Sequence, residues 1–119
     1  MKELAKSDNF KILYEYETVF LQKNDNEKLV VIGDFYGDPQ VAIISKSEKF
    51  CVVGGCGIII YYLKEPYERY FYNTQSPQWK EWGREDKDNT VWVDNIKYID
   101  EEKVEIETEE LVKIIISVN

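Results

Sequence analysis

From Phe10 to Phe20 the larger residues fall on alternate positions: Phe10, Ile12, Tyr14, Tyr16, Thr18 and Phe20, with Lys11, Glu15 and Glu17 between them. A period of two belongs to a strand with one wet face. The pattern therefore predicts a long first strand, preceded at most by a helical turn around Lys2, Leu4 and Ala5. Asn24-Asp25-Asn26 is a turn cluster. Leu29 to Phe35 reads as a second strand interrupted by Gly33, and Gly37-Asp38-Pro39 turns the chain again. Val41 to Ser45, Phe50 to Val53 and Ile58 to Leu63 follow as three short strands, the last two joined by Gly54-Gly55 as a two-residue hairpin turn. These runs are apolar on both faces, as strands covered on two sides are. They belong at the centre of the sheet, and the short turns require antiparallel neighbours.

After Pro66 the character changes. Tyr67, Tyr70, Phe71, Tyr72, Trp79 and Trp82 crowd one stretch. Tyr67 to Tyr72 suggests a further strand, and Trp79 to Trp82 either a helical turn or an edge strand. The polar break Gly83 to Asn89 leads to Val91-Trp92-Val93 and Ile96 to Ile99, the turn Asp100-Glu101-Glu102, a strand at Val104 to Thr108, and a final apolar strand within Leu111 to Val118. The fold expected is a single all-β domain over residues 1–119 with little helix. It is an antiparallel meander of roughly eight to ten strands, curled or closed into a partly open β-barrel.

Charge adds a direction to this picture. The chain carries 23 acidic and 15 basic residues and no histidine, a net charge of −8. Nucleic acids and anionic membranes are polyanions, so neither is an expected partner, and a basic protein is. Seven carboxylates (Asp100, Glu101, Glu102, Glu105, Glu107, Glu109 and Glu110) fall close together against Lys103 alone. Alternation in the strand sends Glu105, Glu107 and Glu109 to one face and Val104, Ile106 and Thr108 to the other. Such a ridge speeds encounter with a basic partner. Tyr, Trp and Arg are the residues enriched at binding hot spots. Trp79 and Trp82, bracketed by Arg69 and Arg84, are therefore the candidate anchors, unless the rings plug one end of the barrel.

No catalytic arrangement is recognisable, and the chain is expected to bind rather than to catalyse. Without histidine the usual Ser-His-Asp and Cys-His arrangements are excluded. There is no phosphate-binding glycine motif, no metal-ligand cluster and no cofactor signature. Asp86, Asp88 and Asn89 offer oxygens for weak calcium binding but lack the glycine and distal glutamate of an EF-hand loop. With Gly54-Gly55 as the turn, Cys51 faces Ile58 and lies diagonal to Cys56, about 7 Å between β-carbons, too far for a disulfide. Both thiols are expected to be free and structural. The first residues hold no hydrophobic signal region and no run approaches a membrane span, so a cytoplasmic location is expected.

The run Tyr36-Gly37-Asp38-Pro39-Gln40-Val41-Ala42-Ile43-Ile44-Ser45, with Phe50 to Gly55, Ile58 to Tyr61 and Trp92 to Ile96, resembles small bacterial immunity proteins of polymorphic or contact-dependent toxin systems. The likeness is one of pattern, size and acidity, and carries over no binding residues. It implies a cytoplasmic inhibitor that binds one toxin domain, often a nuclease, and blocks its active site or its access to substrate. The alternative is a small β-barrel holding a ligand in an aromatic-lined cavity.

Overall fold

The computed structural model describes residues 1–84 and 90–119. The calcium candidates Asp86, Asp88 and Asn89 lie outside the described residues. Among those described there are eleven strands and no helix. The first sheet takes β1 (Lys2–Lys6), β2 (Phe10–Glu15), β3 (Thr18–Lys23) and β4 (Leu29–Asp34) in chain order. The second takes β5 (Val41–Ile44), β6 (Phe50–Gly55), β7 (Gly57–Tyr62) and β8 (Trp79–Trp82), and the third β9 (Val93–Tyr98), β10 (Lys103–Thr108) and β11 (Lys113–Ser117). Every pairing is antiparallel, as the short turns require. None of the three sheets closes into a barrel.

The second sheet is the middle layer. Adjacent residues on its strands are buried in opposite directions. Cys51, Val53, Ile59 and Tyr61 join Ile12, Val19, Leu21 and Ile32 of the first sheet. Phe50, Val52, Ile58 and Ile60 join Val93, Ile96, Val104 and Ile106 of the third. This is why β6 and β7 read as unbroken apolar runs: each side chain has a layer to meet, and full burial of each aliphatic is worth about 1.5–3 kcal/mol.

Several elements differ from the pattern reading. The long first strand is a hairpin. The chain reverses at Tyr16, which adopts a left-handed φ of 54°, and Glu15 pairs with Thr18 across the turn. Buried positions accordingly switch parity, from Phe10 and Ile12 to Val19 and Leu21. No Gly or Asn marks this turn. Lys2 to Ala5 form strand rather than a helical turn, pairing with β2. Tyr67 to Tyr72 lie in the connection between β7 and β8. The β6–β7 hairpin turns at Cys56, with Gly55 opposite Gly57 and Cys51 opposite Tyr61 rather than Ile58. Gly57 is required there: its φ is +74°, and a Cβ would collide with the passing Arg84 side chain. Both cysteines are free. Among the described residues no helix is long and apolar enough to cross a membrane.

Candidate protein-binding surface

β10 is the middle strand of the third sheet and presents its two faces as the alternation predicts. Val104, Ile106 and Thr108 are buried against the middle layer, and Glu105 and Glu107 turn outward. The ridge is not bare, however. Glu105 lies opposite Lys97 of β9, and Glu107 lies opposite Lys113 of β11. Cross-strand neighbours sit within about 5.5 Å at the β-carbons. Cations that are distant along the chain are thus interleaved with the glutamates, and the expectation of an unmatched ladder is corrected by the register.

The turn carboxylates divide. Glu101 faces inward to the protein: its carboxylate accepts from the hydroxyls of Ser47 and Tyr98. Desolvation pushes its carboxyl upward, but these hydrogen bonds together prevail and hold it below the usual range. Asp100 accepts the Glu102 amide at 2.8 Å, shaping the turn. Glu102 and, at the opposite end of β10, Glu109 and Glu110 are exposed. The Glu109 amide donates to the Trp92 carbonyl at 3.0 Å, which brings that acidic turn beside the start of β9.

The tryptophans are placed differently from the sequence expectation. Trp79 is 4% exposed, tilted against Tyr70 with ring centroids 5.1 Å apart, and its indole N–H donates to the Thr74 carbonyl at 3.1 Å. It belongs to the core and offers a partner nothing. Trp82, on β8 of the middle layer, is half-buried against the core shared with the third sheet and edges a shallow depression with Tyr72, Asn73, Glu81 and Arg84. The exposed indole is Trp92, at 42%, which stands edge-on to Tyr36 with centroids 6.5 Å apart. Beside it a depression of about 250 Å³ is lined by Val91, Trp92, Glu109, Glu110, Val112 and Ile114. Leu111, in the turn between Glu110 and Val112, is 76% exposed and held at a φ of 63°. A left-handed backbone at a leucine costs about 1–2 kcal/mol, and the side chain recovers nothing from burial.

Trp92, Tyr36, Leu111 and Val112 were not singled out from sequence. A signal for Trp92 was present: in Val91-Trp92-Val93 the valines claim the inward face and leave the indole outside. Leu111 follows four acidic or polar residues and carried no such signal.

The aromatic interior between the first and second sheets is filled by the protein's own rings. The Tyr61 hydroxyl donates to the Glu68 carbonyl at 2.6 Å, and the Tyr70 hydroxyl donates to Glu81 Oε1 at 2.6 Å. Burial pushes both phenols up. The Cys51 thiol is pushed up to about 12 by burial, which makes it a packing group and not a nucleophile. Among the described residues no three Cys, Asp or Glu side chains gather as a metal site would need.

Comparison of the chain with protein-family models, with curated proteins and with solved structures gives no match in any of the three.

Proposed function

We propose that this domain is an inhibitor of the immunity-protein kind, which binds a basic bacterial toxin domain in the cytoplasm and blocks it by occupancy, without turnover. The observation that carries the reading is the exposed apolar patch of Tyr36, Trp92, Leu111 and Val112 beside the Glu109-Glu110 turn. An exposed tryptophan, with a strained, exposed leucine in the turn whose Glu109 amide bonds the tryptophan's carbonyl, is poor design for a surface that meets only water. Residues 94–113 add eight acids against three lysines, more than half of the chain's net −8. Charge supplies the encounter rate, and the indole supplies the residence time. The anchor in this reading is Trp92, in place of Trp79 or Trp82.

The ligand-barrel alternative draws less support, because the rings that would line a cavity pack on one another and donate their polar hydrogens internally. The test is co-expression with basic bacterial toxin domains, beginning with any that is encoded beside this gene. Growth rescue by the natural chain, with rescue lost on Trp92→Ala and retained on Trp82→Ala, is the expected result. Failure of the natural chain to rescue overturns the proposal.

A further inference from the structure

The third sheet ends in an edge whose backbone faces outward in a defined way. The Thr108 amide donates to the Val112 carbonyl at 3.0 Å, and the Val118 amide donates to the Glu102 carbonyl at 2.9 Å. Both bonds obey the register that sets Ile106 opposite Ile114 and Val104 opposite Ile116. In an antiparallel ladder, hydrogen-bonded and non-hydrogen-bonded pairs alternate. The even residues of β11 therefore spend their N–H and C=O on β10. On the other side of β10, the Ile99 amide donates to the Lys103 carbonyl, so odd residues there serve β9. By the same parity Lys113, Ile115 and Ser117 of β11 direct their N–H and C=O groups to the open edge. Among the described residues no strand pairs with that edge.

Natural edges are blunted by bulges, prolines or cover. The edge of β4 is covered, for the Tyr70 amide donates to the Val31 carbonyl at 2.8 Å. β11 pairs with β10 without a register shift, contains no proline, and leaves Ile115 62% exposed. Its one charge, Lys113, stands opposite Glu107 in the register. Lys103 lies opposite Ser117 and Glu105 opposite Lys97, so the interior of the sheet is mixed in charge, but both ends of the edge are acidic: Glu102 at the Val118 end, Glu109 and Glu110 at the other.

We infer that β11 is a strand-addition site, and that its occupant is an extended basic segment of the partner protein. The segment pairs its backbone with Lys113, Ile115 and Ser117. Its side chains alternate, apolar ones toward half-buried Ile114 and Ile116 and cationic ones on the outer face, between the exposed Glu102 at one end of the edge and Glu109 and Glu110 at the other. The inference rests on the proposed function for the identity of the partner, but not for its test. A second copy of this chain could also pair with the edge; with a net charge of −8 on each copy it is the disfavoured occupant.

The probe is a short capped peptide alternating lysine and valine, with two controls: the same peptide N-methylated on its backbone, and one with glutamate for lysine. Amide exchange is followed by NMR. The expected result is slowed exchange at Lys113, Ile115 and Ser117 with the basic peptide alone, weakening as salt is raised. Ile115→Pro removes an outward N–H that β10 does not use, and edge proline of this kind is tolerated. It should keep the fold and lower affinity at least about 10-fold, while Ile115→Thr keeps the N–H and stays within about 3-fold. Equal binding of the N-methylated peptide to the natural chain, or no change at these three amides, overturns the inference whether or not the proline variant folds. Protection of the same amides without peptide, together with a dimer in sedimentation velocity, also overturns it, in favour of the second copy. Loss of toxin rescue would leave these outcomes unaffected, so the two proposals fail separately.

Discussion

Arg84 makes polar ties between the first two layers, and its removal makes a quantitative test. Its side chain is 9% exposed, and its Nε lies 3.1 Å from Glu81 Oε1. The guanidinium also donates to the Cys56 carbonyl at 3.0 Å and to the Asp34 carbonyl at 2.6 Å, and it stacks 4.5 Å from the Phe35 ring centroid. One residue thus ties β8, the β6–β7 turn and the end of β4. Arg84→Met keeps most of the stem's packing and removes the charge and the donors. Truncating one partner of a buried pair costs about 3–5 kcal/mol. Glu81 is a quarter exposed, so water relieves part of that. Two carbonyls nevertheless lose a charged donor, at about 1–3 kcal/mol each if they stay dry. The expected loss is about 2–4 kcal/mol, a large share of a domain's about 5–15 kcal/mol. Urea unfolding should show a lower midpoint with an unchanged slope. In Glu81→Gln/Arg84→Met part of the loss should return, because no uncompensated carboxylate remains, giving a coupling above about 1 kcal/mol. A single-variant loss below about 1 kcal/mol, or additive effects, would refute the assignment of Arg84 as a staple.

Leu111→Asn should raise stability by about 1 kcal/mol, since asparagine tolerates the left-handed φ that leucine does not, and should weaken toxin binding; a calorimetric midpoint that falls would contradict the strain argument. The carboxyls of Glu48, held down chiefly by hydrogen bonds from Ser7 and Asn9, and of Glu101 both lie below their ordinary value in the fold. Their stabilisation is present above the unfolded value of about 4.5 and is lost as pH falls through the folded value. Urea midpoints should decline below about pH 4.5, less steeply in Glu101→Gln. At the other extreme, the raised Tyr61 and Tyr70 phenols make the fold lose stability from about pH 10 upward, visible as tyrosinate absorbance that appears with unfolding and not before. Thiol titration should find Cys56 reactive in the native protein and Cys51 only after denaturation; two reactive native thiols would mean the core at β6 opens more easily than its burial implies.

What was legible in the sequence was the middle layer and the all-β class, because burial on both faces leaves an unbroken apolar run that no solvent-facing strand can carry. Hairpin positions were less legible. Tyr16 takes a left-handed backbone with no side-chain reason visible in the chain, and Phe10 to Phe20 keep a period of two straight through the turn, so the pattern cannot show where the strand reverses. Paired glycines such as Gly54-Gly55 predict a hairpin turn, whereas Gly54 is a packing position: a Cβ there would meet Val93 Cγ1 at 2.8 Å. Neither the matching of Glu105 and Glu107 by Lys97 and Lys113 nor the burial of Trp79 could be read, since both depend on which strands lie side by side.

The third sheet owes its suitability for binding to how it is anchored. Its inward face is used up by the middle layer, but its position is fixed by polar ties at both ends as well. The Gly57 amide donates to the Val91 carbonyl at 2.6 Å, just before Trp92. The Tyr62 hydroxyl donates to the Val118 carbonyl beyond β11, and Glu101 joins the β9–β10 turn to Ser47 on the β5–β6 loop. Trp92, the edge of β11 and the acidic turns are therefore held on a sheet that cannot slide over its neighbour without breaking these bonds. A partner meeting this face has little ordering left to impose on the strands, and the entropy that would otherwise be lost on association is largely lost already in folding. Cutting one tie without changing the surface charge, as Ser47→Ala does, should loosen the sheet without touching the patch. Its effect should appear as weaker binding with the Trp92 contact intact, the mark of lost preorganisation rather than of a lost contact.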